Sequence, residues 1–180
     1  MKKSLVRLFF ATIVGLAASA CAGPVILSGY ADSRGVNGGI RYAGPHAGMD
    51  FWEVLGAPVL AAADGIVTSV GERGGCGVGV VISHAGLYRH TVYCHILRGE
   101  GLPRSGQEVQ RGDPIGRIGT TGAAWGVPHV HFEVTTVPWS HADGNLRGTE
   151  DPMKYLVGCF DPQKTFPADR LTYPVRCSDS

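Results

Sequence analysis

Residues 128–134 read Pro128-His129-Val130-His131-Phe132-Glu133-Val134, and this stretch decides the fold. On a strand, side chains two apart point to the same face, ~6.6–7 Å apart along the chain. His129, His131 and Glu133 therefore share one face, and Val130, Phe132 and Val134 the other. That is an amphipathic strand whose polar face is either solvent or a site. Working outward, β-branched and aromatic runs bounded by turn signals predict strands over 58–63, 65–70, 78–83, 89–96, 114–118 and 130–135. His84-Ala85-Gly86-Leu87-Tyr88 is a hairpin turn, and 99–107 and 119–128 are loops. The 27 glycines, about twice the usual ~7%, and 11 prolines require many tight turns. One short helix is expected over Met153–Val157, with Asp151 before it and Pro152 opening it. The expected fold class is all-β: antiparallel sheets in a sandwich or barrel-like arrangement with a groove. Heptads, a collagen period and internal repeats are missing from the sequence.

The first twenty residues stand apart. Lys2, Lys3 and Arg7 precede an apolar run, Leu8 to Ala18, too short to span a bilayer as a mature helix. Ala18-Ser19-Ala20 fits a small-residue cleavage site, so 1–20 reads as a secretory signal. Leu16 to Cys21 also resembles a bacterial lipobox, in which Cys21 is lipidated. Ala18 stands where lipoboxes usually carry Leu, so ordinary signal cleavage is the alternative. The chain is thus expected in the periplasm or cell envelope. If Cys21 is modified it is a lipid-anchored protein, sorted to the outer membrane where the cell has one, because Ala22 and not Asp follows. Residues 21–28 read as a linker, 29–157 as the domain and 158–180 as a tail.

Without residues 1–20, which hold three positive and no negative side chains, the formal net charge of +1 becomes −2. Lysines occur only at 2, 3, 154 and 164, so the footprint of a nucleic-acid binder is missing. Of five cysteines, lipidation would account for Cys21 and leave four for two disulfides in an oxidising compartment. Locality favours Cys76–Cys94 and Cys159–Cys177, the latter tying the tail.

Among seven histidines, two spacings carry chemistry. His129 and His131 converge on one face. His46 and Asp50, in His46-Ala47-Gly48-Met49-Asp50, would lie ~13 Å apart on an extended strand and meet only if the chain bends, which Gly48 permits. Two His and one Asp give three protein ligands and an open fourth position, the pattern of catalytic zinc. The helical motif His-Glu-x-x-His is absent.

The segments HAGMD (46–50), GAPVLAAADGIV (56–67), TVYCHI (91–96), VQRGDPIGRIGTTG (109–122) and PHVHFEV (128–134), in this order, resemble the lysostaphin-type (LytM-domain) zinc endopeptidases of peptidoglycan. The resemblance runs from about 29 to 157. It implies an antiparallel groove, one zinc per chain held by His46, Asp50 and His131, and two catalytic histidines, His95 and His129. It further implies zinc-activated water attacking an amide in peptidoglycan stem peptides or cross-bridges, and a monomer. By strand alternation His95 shares a face with Thr91 and Tyr93, while Cys94 points away. Glu133 continues the polar face as a supporting residue. Trp125, Tyr30 and Arg34 are candidate groove-wall residues; His84 sits in the hairpin turn, His90 and His141 lack partners, and surface or core roles are expected of these three histidines. Departures from the family are one extra residue in Ala123–Val127, cysteines at 76 and 94, and a chain that leaves no room for an inhibitory pro-domain or wall-binding repeat.

Three other classes compete. A non-catalytic relative that activates another wall hydrolase would typically lose zinc ligands, and all five positions are filled here. A lipoyl- or biotinyl-type carrier, suggested by residues 58–71, needs a modifiable lysine at a turn, and none lies between 3 and 154. A metal-binding lipoprotein without catalysis is separated from the enzyme only by activity with His95 changed.

Overall fold

In a computed structural model, residues 22–33, 44–99, 101–138 and 146–177 are described. Among the described residues ten strands form: β1 (Val25–Ser28), β2 (Met49–Trp52), β3 (Pro58–Leu60), β4 (Gly65–Arg73), β5 (Gly77–His84), β6 (Arg89–Ile96), β7 (Glu108–Val109), β8 (Pro114–Arg117), β9 (His129–Thr135) and β10 (Thr149–Glu150). The main sheet runs β1-β2-β9-β6-β5-β4-β7, with β10 paired to β9 beyond the end of β2; β3 and β8 form a second, two-stranded sheet. Every named strand pair is antiparallel. The all-β expectation holds.

Alternation along β9 places the core. Val130, Phe132 and Val134 join Met49, Phe51, Tyr93 and Ile82 on one face, and Val59, Ile115 and Ile118 from the β3/β8 layer close over them. Phe132 sits 5.2 Å from Tyr93 and 6.2 Å from Phe51, ring centre to ring centre. Each such buried ring contributes roughly 1.5–3 kcal/mol relative to exposure. The opposite face of the sheet carries a small apolar cluster, Cys76, Val81, Val92 and Cys94, and the histidines described below.

Three local expectations gain detail. The helix over Met153–Val157 is a single 3-10 turn, Pro152–Lys154, capped by the Asp151 carboxylate accepting from Met153 N–H at 2.9 Å. It stops because Leu156 bridges to Leu171 and Val157 N–H donates to the Leu171 carbonyl, so the backbone is taken by the tail. The stretch read as a linker contains β1, whose VILS run is ordered by pairing with β2. The tail packs on the sheets. Leu171 and Val175 are core residues, and Leu60 and Ala62 each donate to or accept from tail backbone. Both disulfides pair as locality suggests, Cys76–Cys94 and Cys159–Cys177, each with a sequence separation of 18. Closing a loop of that size stabilises by ~3 kcal/mol in the chain-entropy account. Residues 1–20, Cys21, Arg34 and His141, with the expectations placed on them, lie outside the described residues.

His84, the last residue of β5, takes a core role. Its Nδ1 donates to the Asp64 carbonyl at 2.8 Å, its Nε2 lies 2.7 Å from Thr91 Oγ1, and the Thr91 and Tyr93 hydroxyls are hydrogen-bonded to each other. Burial, opposed by the Asp64 carbonyl, pushes its pKa down to about 4. Between that value and the ordinary ~6.5 the unfolded chain binds the extra proton, so stability falls as pH drops through this window and is full above it. The shift corresponds to about 3 kcal/mol. Urea unfolding at pH 7 and pH 4 should show this loss in the wild type, and His84→Gln, which keeps a donor and an acceptor, should lose correspondingly less stability. Equal pH slopes for the two proteins would refute the assignment.

Candidate metal centre

Strand register assembles the site. Asp50 on β2 stands opposite His131 on β9, and Trp52 opposite His129. Directly opposed residues share a face, so the two histidines and Asp50 project together from the side of the sheet away from the main core. His46 joins from the bend before β2, its Nε2 3.2 Å from Asp50 Oδ1. Gly48 makes the bend possible by closeness and not by unusual φ: a Cβ there would fall 2.3 Å from the Phe132 carbonyl oxygen.

The ligating atoms of His46, Asp50 and His131 lie within 4.8 Å of one another. His46 Nε2 is 2.8 Å from His131 Nδ1, which is 2.9 Å from Asp50 Oδ1. Ligands of a tetrahedral ion at ~2.0–2.1 Å are roughly 3.3 Å apart, so a small expansion admits one cation. The far nitrogens are held. His46 Nδ1 donates to the Gly29 carbonyl at 2.9 Å, with Ser28 Oγ at 3.2 Å, and His131 Nε2 lies 2.9 Å from Glu133 Oε1. This leaves His46 Nε2 and His131 Nδ1 as the inward-facing ligand atoms, with Glu133 supporting His131 in the carboxylate–histidine–metal manner. Glu133 Oε2 is buried without a hydrogen-bond partner.

The electrostatics also suit a cation. Burial opposes ionisation of Asp50, yet hydrogen bonds from His131 and His46 hold its carboxyl well below the usual range. Burial likewise works against a charged His131, but Asp50 and Glu133 outweigh it and raise the pKa to about 10.

Two more imidazoles flank the cluster. His129 and His95 rings are 4.6 Å apart, and His95 is 6.0 Å from His131. His129 Nδ1 donates to the Val127 carbonyl and His95 Nδ1 to the Thr121 carbonyl, each at 2.8 Å, which leaves the lone pair on Nε2 in both rings; that of His129 lies 3.7 Å from Asp50 Oδ1. Burial lowers both pKa values, that of His95 to about 3 with the neighbouring histidines adding to the effect.

The path by which His95 arrives corrects the strand arithmetic. Tyr93 opposes Phe132 on the core face, its hydroxyl accepting from Ala62 N–H, whereas Cys94 opposes His131 on the site face. Simple alternation would therefore bury His95 with Tyr93. Instead Val80 pairs with Tyr93 but Val78 with Ile96, a bulge at Cys94-His95, and His95 adopts φ +64°. The extra residue turns His95 back to the site. Of the other candidates, Trp125 is 59% exposed at the tip of the 119–128 loop, while Tyr30 is tied to Thr149 through its hydroxyl. His90 is partly buried with Nδ1 lacking a partner. The carbonyls of Gly29, Val127 and Thr121 had no sequence signal at all.

The model of peptidase family M23 matches residues 44–144, and the chain belongs to that family. It is similar to an uncharacterized metalloprotease of Haemophilus influenzae, 42% identical over 99 residues, which are 54% of this chain and 19% of that protein. It is also similar to peptidoglycan DD-endopeptidase ShyA of Vibrio cholerae, 37% identical over 103 residues, 57% of this chain and 23% of the relative. The match thus spans only about a fifth of the length of these curated relatives. Among solved structures, the catalytic domain of lysostaphin from Staphylococcus simulans superposes with a TM-score of 0.59 at 27% identity, covering 73% of this chain and 90% of that domain. A zinc containing peptidase from Vibrio cholerae gives 0.51 at 37% identity, covering 62% of this chain and 33% of that one.

Proposed function

We propose that the chain is a zinc endopeptidase that cuts peptide cross-links of bacterial peptidoglycan outside the cytoplasm. One observation carries this reading: three ligand atoms converge on one point, and two imidazoles protonated at Nδ1 stand beside them. Two imidazoles and a carboxylate suit zinc, and the names of the similar proteins, DD-endopeptidases and a zinc containing peptidase, support both metal and substrate. His46 Nε2, Asp50 Oδ1 and His131 Nδ1 would hold one ion per chain. When bound, zinc supplies Lewis acidity at one open position, polarising a peptide carbonyl and acidifying water. The protein's own groups do the rest. Gly29 and Glu133 keep the ligand histidines in the ligating tautomer. His95 and His129 each offer a lone pair that orients or deprotonates water; once protonated, the same Nε2 donates to the oxyanion or the leaving amine. Trp125, exposed on the neighbouring loop, is read as a groove wall.

Two disulfides fit an oxidising compartment, in line with export by the 1–20 signal and a lipid anchor at Cys21, the protein acting as a monomer at the outer membrane of a diderm cell. A non-catalytic activator needs none of the five side chains, so their convergence speaks against it. The test is incubation of purified protein with defined cross-linked muropeptides, with and without a chelator, followed by product masses. Cleavage at a peptide bond, lost with chelator and restored by zinc, is expected. Intact muropeptides with zinc-loaded protein would sink the reading.

A further inference from the structure

His95 is held in place by a break in its strand, and that break adjoins the Cys76–Cys94 disulfide. Three pieces of backbone meet there. The turn between β4 and β5 carries Cys76, the 119–128 loop carries Thr121, and the end of β6 carries Cys94 and His95. Ala123 N–H donates to the Gly75 carbonyl at 2.7 Å. Thr121 Oγ1 accepts from Val78 N–H at 2.9 Å and donates to the Ile96 carbonyl at 2.8 Å. A Cβ on Gly77 would come 2.4 Å from Gly122 N, and one on Gly122 2.3 Å from Gly77 N, so turn and loop lie backbone against backbone. The Thr121 carbonyl, at the centre of this junction, receives the His95 Nδ1 proton. The disulfide is the one covalent tie across it, buried with Val81 and Val92 beneath.

We propose that the Cys76–Cys94 disulfide is a positioning element for His95. By fastening the β4–β5 turn to β6 it holds the Thr121 carbonyl where it fixes the His95 tautomer and seats the ring beside that of His129. The inference rests on the reading of His95 as a participant in peptide hydrolysis. A purely stabilising role is separable, because Cys159–Cys177 has the same sequence separation and ties a tail that packs on the other face of the sheet.

The test compares zinc-loaded Cys76→Ala/Cys94→Ala with zinc-loaded Cys159→Ala/Cys177→Ala. Four quantities are measured: kcat, KM, zinc content and the nitrogen-15 NMR signature of the His95 Nδ1–H tautomer. The first variant should lose about 10–100-fold in kcat, the scale of a small misplacement of a reacting group, with KM and zinc content kept and the His95 Nδ1–H signal broadened or shifted. The second should keep both kcat and signal. If the first variant fails to fold, Thr121→Val tests the same junction: it should lower kcat and disturb the signal, and Thr121→Ser should restore both. An unchanged kcat and His95 signal in folded, zinc-loaded Cys76→Ala/Cys94→Ala, or in Thr121→Val where that variant stands in, overturns the proposal. Absence of cleavage by the wild type would overturn the hydrolase reading alone, since the NMR signal reports on the clamp without turnover.

Discussion

Replacing His46, Asp50 or His131 by alanine is expected to strip the chain of zinc and of activity, one substitution being enough. Three protein ligands leave no redundancy. The apparent binding free energy of tight zinc sites, ~10–16 kcal/mol, shared among three ligands assigns each about 3–5 kcal/mol, or two to nearly four decades in affinity. The loss should be deepest for Asp50, because its carboxylate contacts both ligand histidines and is the only anionic ligand. Elemental analysis after dialysis should fall from one zinc per chain to near none. Added zinc should raise the melting temperature of the wild type and leave all three variants unmoved, since only a bound ion stabilises the native state. Stoichiometric zinc in all three variants would mean that the ion sits elsewhere.

His129→Ala and His95→Ala should behave in the opposite way on the same two measurements. Both side chains stand next to the cluster, yet the His129 Nε2 is 3.7 Å from Asp50 Oδ1, farther than the 2.8, 2.9 and 3.2 Å that separate His46 Nε2, His131 Nδ1 and Asp50 Oδ1. Zinc content should stay near one per chain, while kcat falls by roughly 10²–10⁴-fold, the range of a lost general acid or base. KM should change little, because these groups act on the reacting atoms. The double variant should be far less impaired than the product of the single losses, since residues that act as a unit are not additive. Loss of zinc from His129→Ala would make it a ligand and break the division between the two histidines on β9.

Periodicity alone made β9 legible. Three polar and three apolar residues alternate in 129–134, and the structure keeps that assignment, the apolar three in the core and the polar three on the site face. The 84–88 hairpin and both disulfide pairs were equally readable, because close sequence neighbours need little more than a turn to meet. His46 and Asp50 were readable as a pair that requires a bend. The reason for the glycine between them was not, since the Phe132 carbonyl that excludes a Cβ belongs to a strand 84 residues away.

By itself, the sequence determined the antiparallel class and the faces of β9 and, through family-like motifs, named as candidates five side chains that stand together in the structure. Tertiary structure decided how they get there. A bulge belongs to a pair of strands and not to either one: only the register of β5 against β6 shows that two residues of β6 face one of β5, and so that His95 leaves the core face it would otherwise share with Tyr93. The acceptors that set the four tautomers are likewise matters of packing. Three of them are backbone carbonyls, which every residue carries and no side-chain pattern marks, and the tail and β1 enter the fold only because distant strands offer them partners.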